Sequence, residues 1–264
     1  MILRPKFKAN MPIEAECISP DVLAEKKIED LEVYHGNKRR KLSDLFEILD
    51  VRTKDVRIEG DVGNVKYIGA KMRSGKMIID GNVGMHLGSE MEGGEIFVEG
   101  DAGDWIGAEM RGGLIRIKGN AGNLVGAAYR GSKIGMRQGM IIVEGDAGHE
   151  IGERMKRGII AILGDVASFA GAHMKGGTIL CFGKMGERTG AEMDRGTIIA
   201  FTPLQLLPTF RYNATYNPVF LRFCLRELRK YDLPIADEHI TGRYERYNGD
   251  LTELGKGEIL VWKG

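Results

Sequence analysis

Apolar residues along this chain fall into short alternating runs, and the runs recur. One position in each run reads Met77, Ile96, Ile115, Ile141, Ile160, Ile179 and Ile198. Two residues on, the matching position reads Ile79, Val98, Ile117, Val143, Ile162, Cys181 and Ala200. Alternation with a period of two is the pattern of a half-buried strand, one face on a core and one outward. Successive runs lie 19 residues apart, apart from one step lengthened by seven residues near GAAYRGS (126–132).

Each run is preceded by the same short motif. The seven copies read GAKMRSGKMIIDG (69–81), GSEMEGGEIFVEG (88–100), GAEMRGGLIRIKG (107–119), KIGMRQGMIIVEG (133–145), GERMKRGIIAILG (152–164), GAHMKGGTILCFG (171–183) and GAEMDRGTIIAFT (190–202). A strand repeated at fixed spacing buries its apolar face by stacking on its own copies, so equivalent residues form ladders and neighbouring strands pair in parallel. The expected fold is all-β: a right-handed parallel β-helix, or solenoid, of about seven coils with a 19-residue period. A left-handed hexapeptide helix would need an aliphatic residue every six positions, whereas here the apolar residues bunch in one strand per coil. Gly-Asp and Gly-Asn pairs such as Gly81-Asn82 and Gly100-Asp101 mark corners and are expected to need positive φ.

Both flanks leave the repeat. Residues 1–50 combine a possible strand (KFKANMPIEAECI) with helix-like stretches (SPDVLAEKKIEDL and LSDLFEIL), and are expected to form a small N-terminal cap. Residues 51–202 form the array. Residues 203–264 form a tail in which Asn217-Pro218 reads as a helix start, followed by FLRFCLRELRK with apolar residues at helical spacing and by a last strand, GEILVW (257–262).

The outward positions differ along the array. Between the inward columns lie Ile78, Phe97, Arg116, Ile142, Ala161, Leu180 and Ile199, and beside them Asp80, Glu99, Lys118, Glu144, Leu163, Phe182 and Phe201. The wall therefore turns apolar toward the C-terminal coils, and a large apolar face needs a cover. The segment 218–230 is expected to cover part of it and a partner protein the rest, with Ile142, Leu163, Leu180, Phe182, Ile199 and Phe201 as candidate interface residues.

Composition narrows the chemistry. Glycine makes up 38 of 264 residues, twice the usual share of about 7%, with only 7 prolines, which fits turns rather than disorder. The net charge of +1 argues against nucleic acid or an anionic membrane as partner. Cys17, Cys181 and Cys224 have no metal or disulfide spacing, and neither a signal peptide nor a membrane span is read, so a cytoplasmic location is expected.

The motif's glycines recur seven times before strands, which is not the context of a phosphate loop. GDLTELGKG (249–257) misses a Walker loop because Asp250 and Gly257 stand where glycine and Ser/Thr are required. The column Met72, Met91, Met110, Met136, Met155, Met174 and Met193 offers thioethers to a soft metal. Its presence in every coil instead favours a structural repeat that fills the core. His86, His149 and His173 do not line up as ligands, and no catalytic set emerges; Lys38-Arg39-Arg40-Lys41 reads as a solvated turn. Catalytic, cofactor-binding and metal residues are thus expected to be absent from this chain.

The sevenfold motif resembles the C-type subunit family of formylmethanofuran dehydrogenase, whose fold is similar to the C-terminal domain of the glutamate synthase large subunit. Lys133 in place of a leading glycine and Thr202 at the end of the last unit depart from the pattern. The resemblance implies a non-catalytic scaffold subunit of an archaeal oxidoreductase complex that reduces CO2 to formylmethanofuran, the first step of methanogenesis from CO2. Partners so implied are a catalytic subunit with tungsten- or molybdenum-pterin, an amidohydrolase-like subunit with divalent metal, and subunits carrying iron–sulfur clusters. The alternatives are the homologous subunit of a formyltransferase/hydrolase complex, a glutamate-synthase-type structural domain, and a stand-alone β-helix enzyme.

Overall fold

The computed structural model describes residues 1–6, 11–49 and 55–264. The expected junction between cap and array, at residues 50–51, and part of the KFKANMPIEAECI strand lie outside the described residues.

The N-terminal part forms β1 (Ile2–Pro5), β2 (Ile13–Glu14), helix α1 (Pro20–Glu25), β3 (Glu32–His35), β4 (Lys38–Lys41), the single turn α2 (Leu42–Leu45) and β5 (Phe46–Leu49). The repeats supply β6 (Val56–Ile58), β7 (Val65–Lys66), β8 (Lys76–Ile79), β9 (Glu95–Val98), β10 (Leu114–Ile117), β11 (Met140–Val143), β12 (Ile159–Ile162), β13 (Lys175–Cys181) and β14 (Arg195–Ala200). The C-terminal part adds β15 (Arg211–Tyr216), α3 (Val219–Arg229), α4 (Asp237–Thr241), β16 (Tyr244–Gly249) and β17 (Gly257–Trp262). The protein is mostly β. No helix among the described residues is long and apolar enough to cross a membrane.

Among the described residues thirteen strands share one open sheet in the order β15-β16-β17-β14-β13-β12-β11-β10-β9-β8-β6-β1-β5. Strands one repeat apart pair in parallel and in register, as in Ile96↔Ile115↔Ile141 and Val98↔Ile117↔Val143. Both inward columns are sealed: Met77, Ile96, Ile115, Ile141, Ile160, Ile179 and Ile198 have no exposed surface. At roughly 1.5–3 kcal/mol for each fully buried aliphatic side chain, these columns are a dominant source of stability. A second ladder of parallel bridges runs through Val62, Val83, Ala102, Ala121, Ala147, Val166 and Met185, and encloses the same core from another side.

The motif G-x-x-M-x-x-G is an interlock between repeats. Each Met is fully buried, and its Cε lies where the Cβ of a later glycine would stand: Met72 Cε is 2.6 Å from that point at Gly94, Met91 Cε 2.7 Å at Gly113. Gly113 also has φ +88, so it is required both for space and for backbone conformation. The first glycine of the motif does the same for an isoleucine, with Ile141 Cδ1 2.5 Å from the missing Cβ of Gly107.

Of the Gly-Asp and Gly-Asn corners Gly60 adopts the expected positive φ (+134), whereas Gly81, Gly100, Gly119, Gly145 and Gly164 do not. At Gly100 the missing Cβ would meet Asn82 Oδ1 at 2.5 Å and the Gly81 carbonyl carbon at 2.8 Å. The glycine is needed for close approach of stacked backbones. Its acidic or amide neighbour builds a ladder, in which Asp101 N donates to Asn82 Oδ1 (2.8 Å), Asn120 N to Asp101 Oδ1 (2.7 Å) and Asp146 N to Asn120 Oδ1 (2.8 Å). Positive φ falls instead on the motif glycines and on a non-glycine column that includes Tyr67, His86, Trp105 and Leu124.

Both flanks rejoin the sheet. β1 and β6 extend it before the first repeat, with Leu3↔Ile58 and Ile58↔Ile79. β17 extends it after the last, with Ile198↔Ile259 and Ala200↔Val261. Helix content is lower than expected at the N-terminus, where α1 stops at Glu25 and α2 yields to a strand at Phe46. The basic run 38–41 is also a strand, not a turn. It forms a hairpin with β3 across Gly36, whose φ is +60, and ends a separate four-stranded sheet ordered β4-β3-β2-β7.

Candidate interaction surfaces

The outer face of the thirteen-stranded sheet is two surfaces. Along β6–β10 it is open and charged. Arg57 pairs with Asp80 at 2.8 Å, Arg116 with Glu144 at 2.7 Å and Lys118 with Glu99 at 2.5 Å, while the Lys76 ammonium sits 4.7 Å from the centre of the Phe97 ring. Along β11–β14 and β17 it is dry. Ile142, Ala161, Leu180, Ile199 and Leu260 have no exposed surface and form a second core with Leu221, Leu225 and Leu228 of α3 and with Leu233, Ile235, Ile240 and Tyr244.

The structure places the six candidate interface residues here, under the chain's own tail. Ile142, Leu180 and Ile199 are fully buried and Phe201 is 7% exposed, while Leu163 and Phe182 pack partly buried against them. While the tail is docked, the first four are closed to any other protein. The outward column suggested a cover; it did not show that the segments 231–244 and 257–262 would join α3 in closing the wall. Phe182 and Phe201 stack at 4.3 Å, and His239 reaches over Phe201 (4.8 Å) to the Trp262 ring (4.9 Å). On α3 the apolar residues left in solvent lie one layer out, on its far side: Val219 (63% exposed), Phe220 (45%) and Phe223 (64%). Of the apolar positions at helical spacing in FLRFCLRELRK, Leu221, Leu225 and Leu228 pack inward with Cys224 partly buried beside them, and Phe220 faces solvent.

The seven-residue insertion has a structural task. It brings Tyr129 over the positive-φ column, where Tyr67 and His86 stack at 4.4 Å and His86 and Trp105 at 5.4 Å. His86 Nδ1 and the Tyr129 hydroxyl share a 3.0 Å hydrogen bond. Burial lowers the His86 pKa and raises that of Tyr129 to about 12, so both rings are held neutral near pH 7. His149 and His173 lie on other repeats, the latter 3.3 Å from Glu192.

The three cysteines are held as thiols. Burial pushes the thiols up, Cys17 and Cys224 to about 11 and Cys181 to about 12, so none is a thiolate at neutral pH. Among the described residues there is no group of three His, Cys, Asp or Glu side chains placed to hold a metal ion. A cleft of about 730 Å³ opens between α1, β3 and the first repeats, but its charges are largely consumed by one another. Arg73 binds Asp21 (3.0 Å) and Glu25 (2.9 Å), and Arg111 reaches Glu90 (3.4 Å) and Glu92 (3.3 Å). Such mutual neutralisation belongs to a structural seam between the N-terminal part and the array.

Similarity to known proteins bears on what this surface serves. A chain in the crystal structure of the formyltransferase/hydrolase complex of Methylorubrum extorquens, determined with methylofuran, matches over 100% of both chains, with 34% identity and a TM-score of 0.93. The chain belongs to the C-type subunit family of formylmethanofuran dehydrogenase. Over 91 residues it is 46% identical to the C-type subunit of molybdenum-containing formylmethanofuran dehydrogenase 1 from Methanothermobacter marburgensis, a match that covers 33% of this chain and 23% of that protein. Over 95 residues it is 44% identical to the C-type subunit of tungsten-containing formylmethanofuran dehydrogenase 2 from Methanothermobacter wolfeii, covering 33% and 35%. The matched stretches thus span about a quarter to a third of the length of these curated relatives. No family model matches the chain.

Proposed function

We propose that this member of the family is a non-catalytic scaffold subunit of a formylmethanofuran dehydrogenase complex. The observation that carries the reading is end-to-end similarity to a chain of a solved multi-subunit formyl-handling complex. The interlocked core and the three inert thiols support it. In this reading the pterin, iron–sulfur and divalent-metal chemistry resides in partner subunits, and the pterin-bearing and amidohydrolase-like subunits dock on this chain in the cytoplasm. The candidate interface moves outward from Ile142, Leu180 and Ile199 to the exposed surface of the layer that covers them.

The fold in this reading is a right-handed parallel β-helix, divided into a cap (1–50), an array (51–202) and a tail (203–264). Parallel register between strands one repeat apart and the second bridge ladder support the coil; the Met column is its structural repeat.

A second reading, the equivalent subunit of a formyltransferase/hydrolase complex, is favoured by the fact that the full-length match is to that complex. Affinity purification of the tagged chain from its native cells tests both. Co-purification of subunits with molybdenum or tungsten by elemental analysis supports the dehydrogenase. Co-purification of formyltransferase and hydrolase subunits without either metal supports the second reading. A chain recovered alone overturns both.

A further inference from the structure

Edge strands with free backbone groups invite pairing, and charged side chains on them select what is able to pair. β4 ends the four-stranded sheet, so among the described residues its outer edge has no strand partner. All four of its residues, Lys38, Arg39, Arg40 and Lys41, are exposed cations. They are not equivalent. Residues opposite each other in an antiparallel pair share a face, which puts Arg39 and Lys41 with Tyr34 and Glu32, and Lys38 and Arg40 with His35 and Val33. On the first face the charge is used. Arg39 pairs with Glu32 at 3.3 Å and donates to the Tyr34 hydroxyl at 3.2 Å, and Lys41 Nζ donates to the Glu29 carbonyl oxygen at 2.5 Å. On the second face Lys38 and Arg40 have no ion pair among the described residues. Val33 and Ile13 of the same sheet are buried in the core on that face, so the two exposed cations stand at its rim.

We propose that the free edge of β4 is a docking site for an extended acidic segment of a partner protein, which adds as a fifth strand. Main-chain hydrogen bonds to the edge give affinity, and carboxylates two residues apart on the incoming strand face Lys38 and Arg40. A neutral strand gains nothing across from two unpaired cations, and a basic strand is repelled. The same charges that protect the edge from copies of itself therefore leave it open to acidic chains. The contrast with β15, one of the two end strands of the large sheet, is informative: its sequence RYNATY carries one charge. The proposal is independent of which formyl-handling complex the chain serves.

The test uses the full chain and a fluorescein-labelled peptide alternating glutamate with valine and threonine, read by anisotropy at low salt. Two further probes carry the same charge: the peptide with prolines at alternate positions, which loses half its backbone donors and is biased away from a regular paired strand, and a single-stranded oligonucleotide. The expected result is saturable binding of the first peptide with slowed amide exchange in β4, and binding at least about tenfold weaker for both other probes. K38E/R40E should weaken the first peptide about tenfold or more, while K38R/R40K keeps it within about twofold. Both positions are exposed, and an unchanged melting curve checks that the variants fold. Absence of binding, equal binding of the proline or oligonucleotide probe, or indifference to K38E/R40E would overturn the proposal.

Discussion

The two halves of the outer wall are built on the same inner columns yet end up in different environments. Ile96 and Ile179 are equally buried inside. Outside them, β9 carries a half-buried Phe97 against a lysine, and β13 carries Leu180 sealed in the core that α3 covers. Inner packing decides that the strands stack; the outer column decides what may cover them. The change falls between Arg116 and Ile142, the step that holds the seven-residue insertion. A repeat array thus carries two messages on alternate residues, and only the inner one is constant.

The largest effects belong to the inner message and should not distinguish the halves. Ile115→Asp and Ile179→Asp each bury an unpaired carboxylate against stacked neighbours and should cost several kcal/mol, about 4 or more, by urea unfolding. If either variant unfolds like the parent, its inward placement is wrong. Next is the test that separates the halves. Ile199→Glu, under the tail, should destabilise by about 3 kcal/mol or release the tail with exposure of apolar surface to a hydrophobic dye. Ile78→Glu, on the open half between Arg57 and Phe97, should change stability by less than about 1 kcal/mol. Equal effects would erase the distinction between the covered and open halves.

Gly113→Ala should cost about 1–3 kcal/mol, because φ is +88 and the new methyl group meets both Met91 Cε and the Gly94 carbonyl oxygen at 2.7 Å. Met91→Ala in the same chain removes only one of the two obstacles, so rescue should be incomplete. The smallest effects are electrostatic. Arg116→Ala breaks the 2.7 Å pair with Glu144 on the open half and should cost no more than about 1 kcal/mol, less in high salt.

At the C-terminal end of the array, Asp250 links the flank to the last motif by accepting from Glu192 N (3.0 Å) and Thr252 N (3.0 Å). Burial pushes its pKa up, but the backbone donors outweigh burial and the net pKa is lowered. Its contribution is therefore complete above the ordinary carboxylate value of about 3.9 and lost as pH falls through the lowered folded value. Asp250→Asn should flatten that acid-limb dependence in a melting series.

The array was legible because its constraint is local and repeated: one glycine spacing and two apolar columns, each a direct image of a stack. The Met column was legible as core for the same reason, although its partner glycines were not. The link between Met91 and Gly113 crosses a repeat boundary and appears only in three dimensions. The Gly100 corner was misread because a small residue signals either free φ or close approach, and the sequence does not distinguish them. β4 was misread because four cations carry little strand propensity; its pairing with β3 is imposed by the turn at Gly36. The return of β17 to the growing edge was out of reach, since Ile259 lies 61 residues beyond Ile198 rather than one repeat.

The pairing changes sense at both ends of the large sheet. β5 meets β1 antiparallel, and β16 and β15 follow β17 antiparallel. Between them, ten strands from β1 to β17 lie in one parallel stack. A parallel stack left bare would accept the first strand of another molecule as its next step and grow into a filament. The reversed strands stop that growth, and so fix a length. At about 4.8 Å per step the stack is a ruler of roughly 40 Å, and anything held at its two ends is kept that far apart.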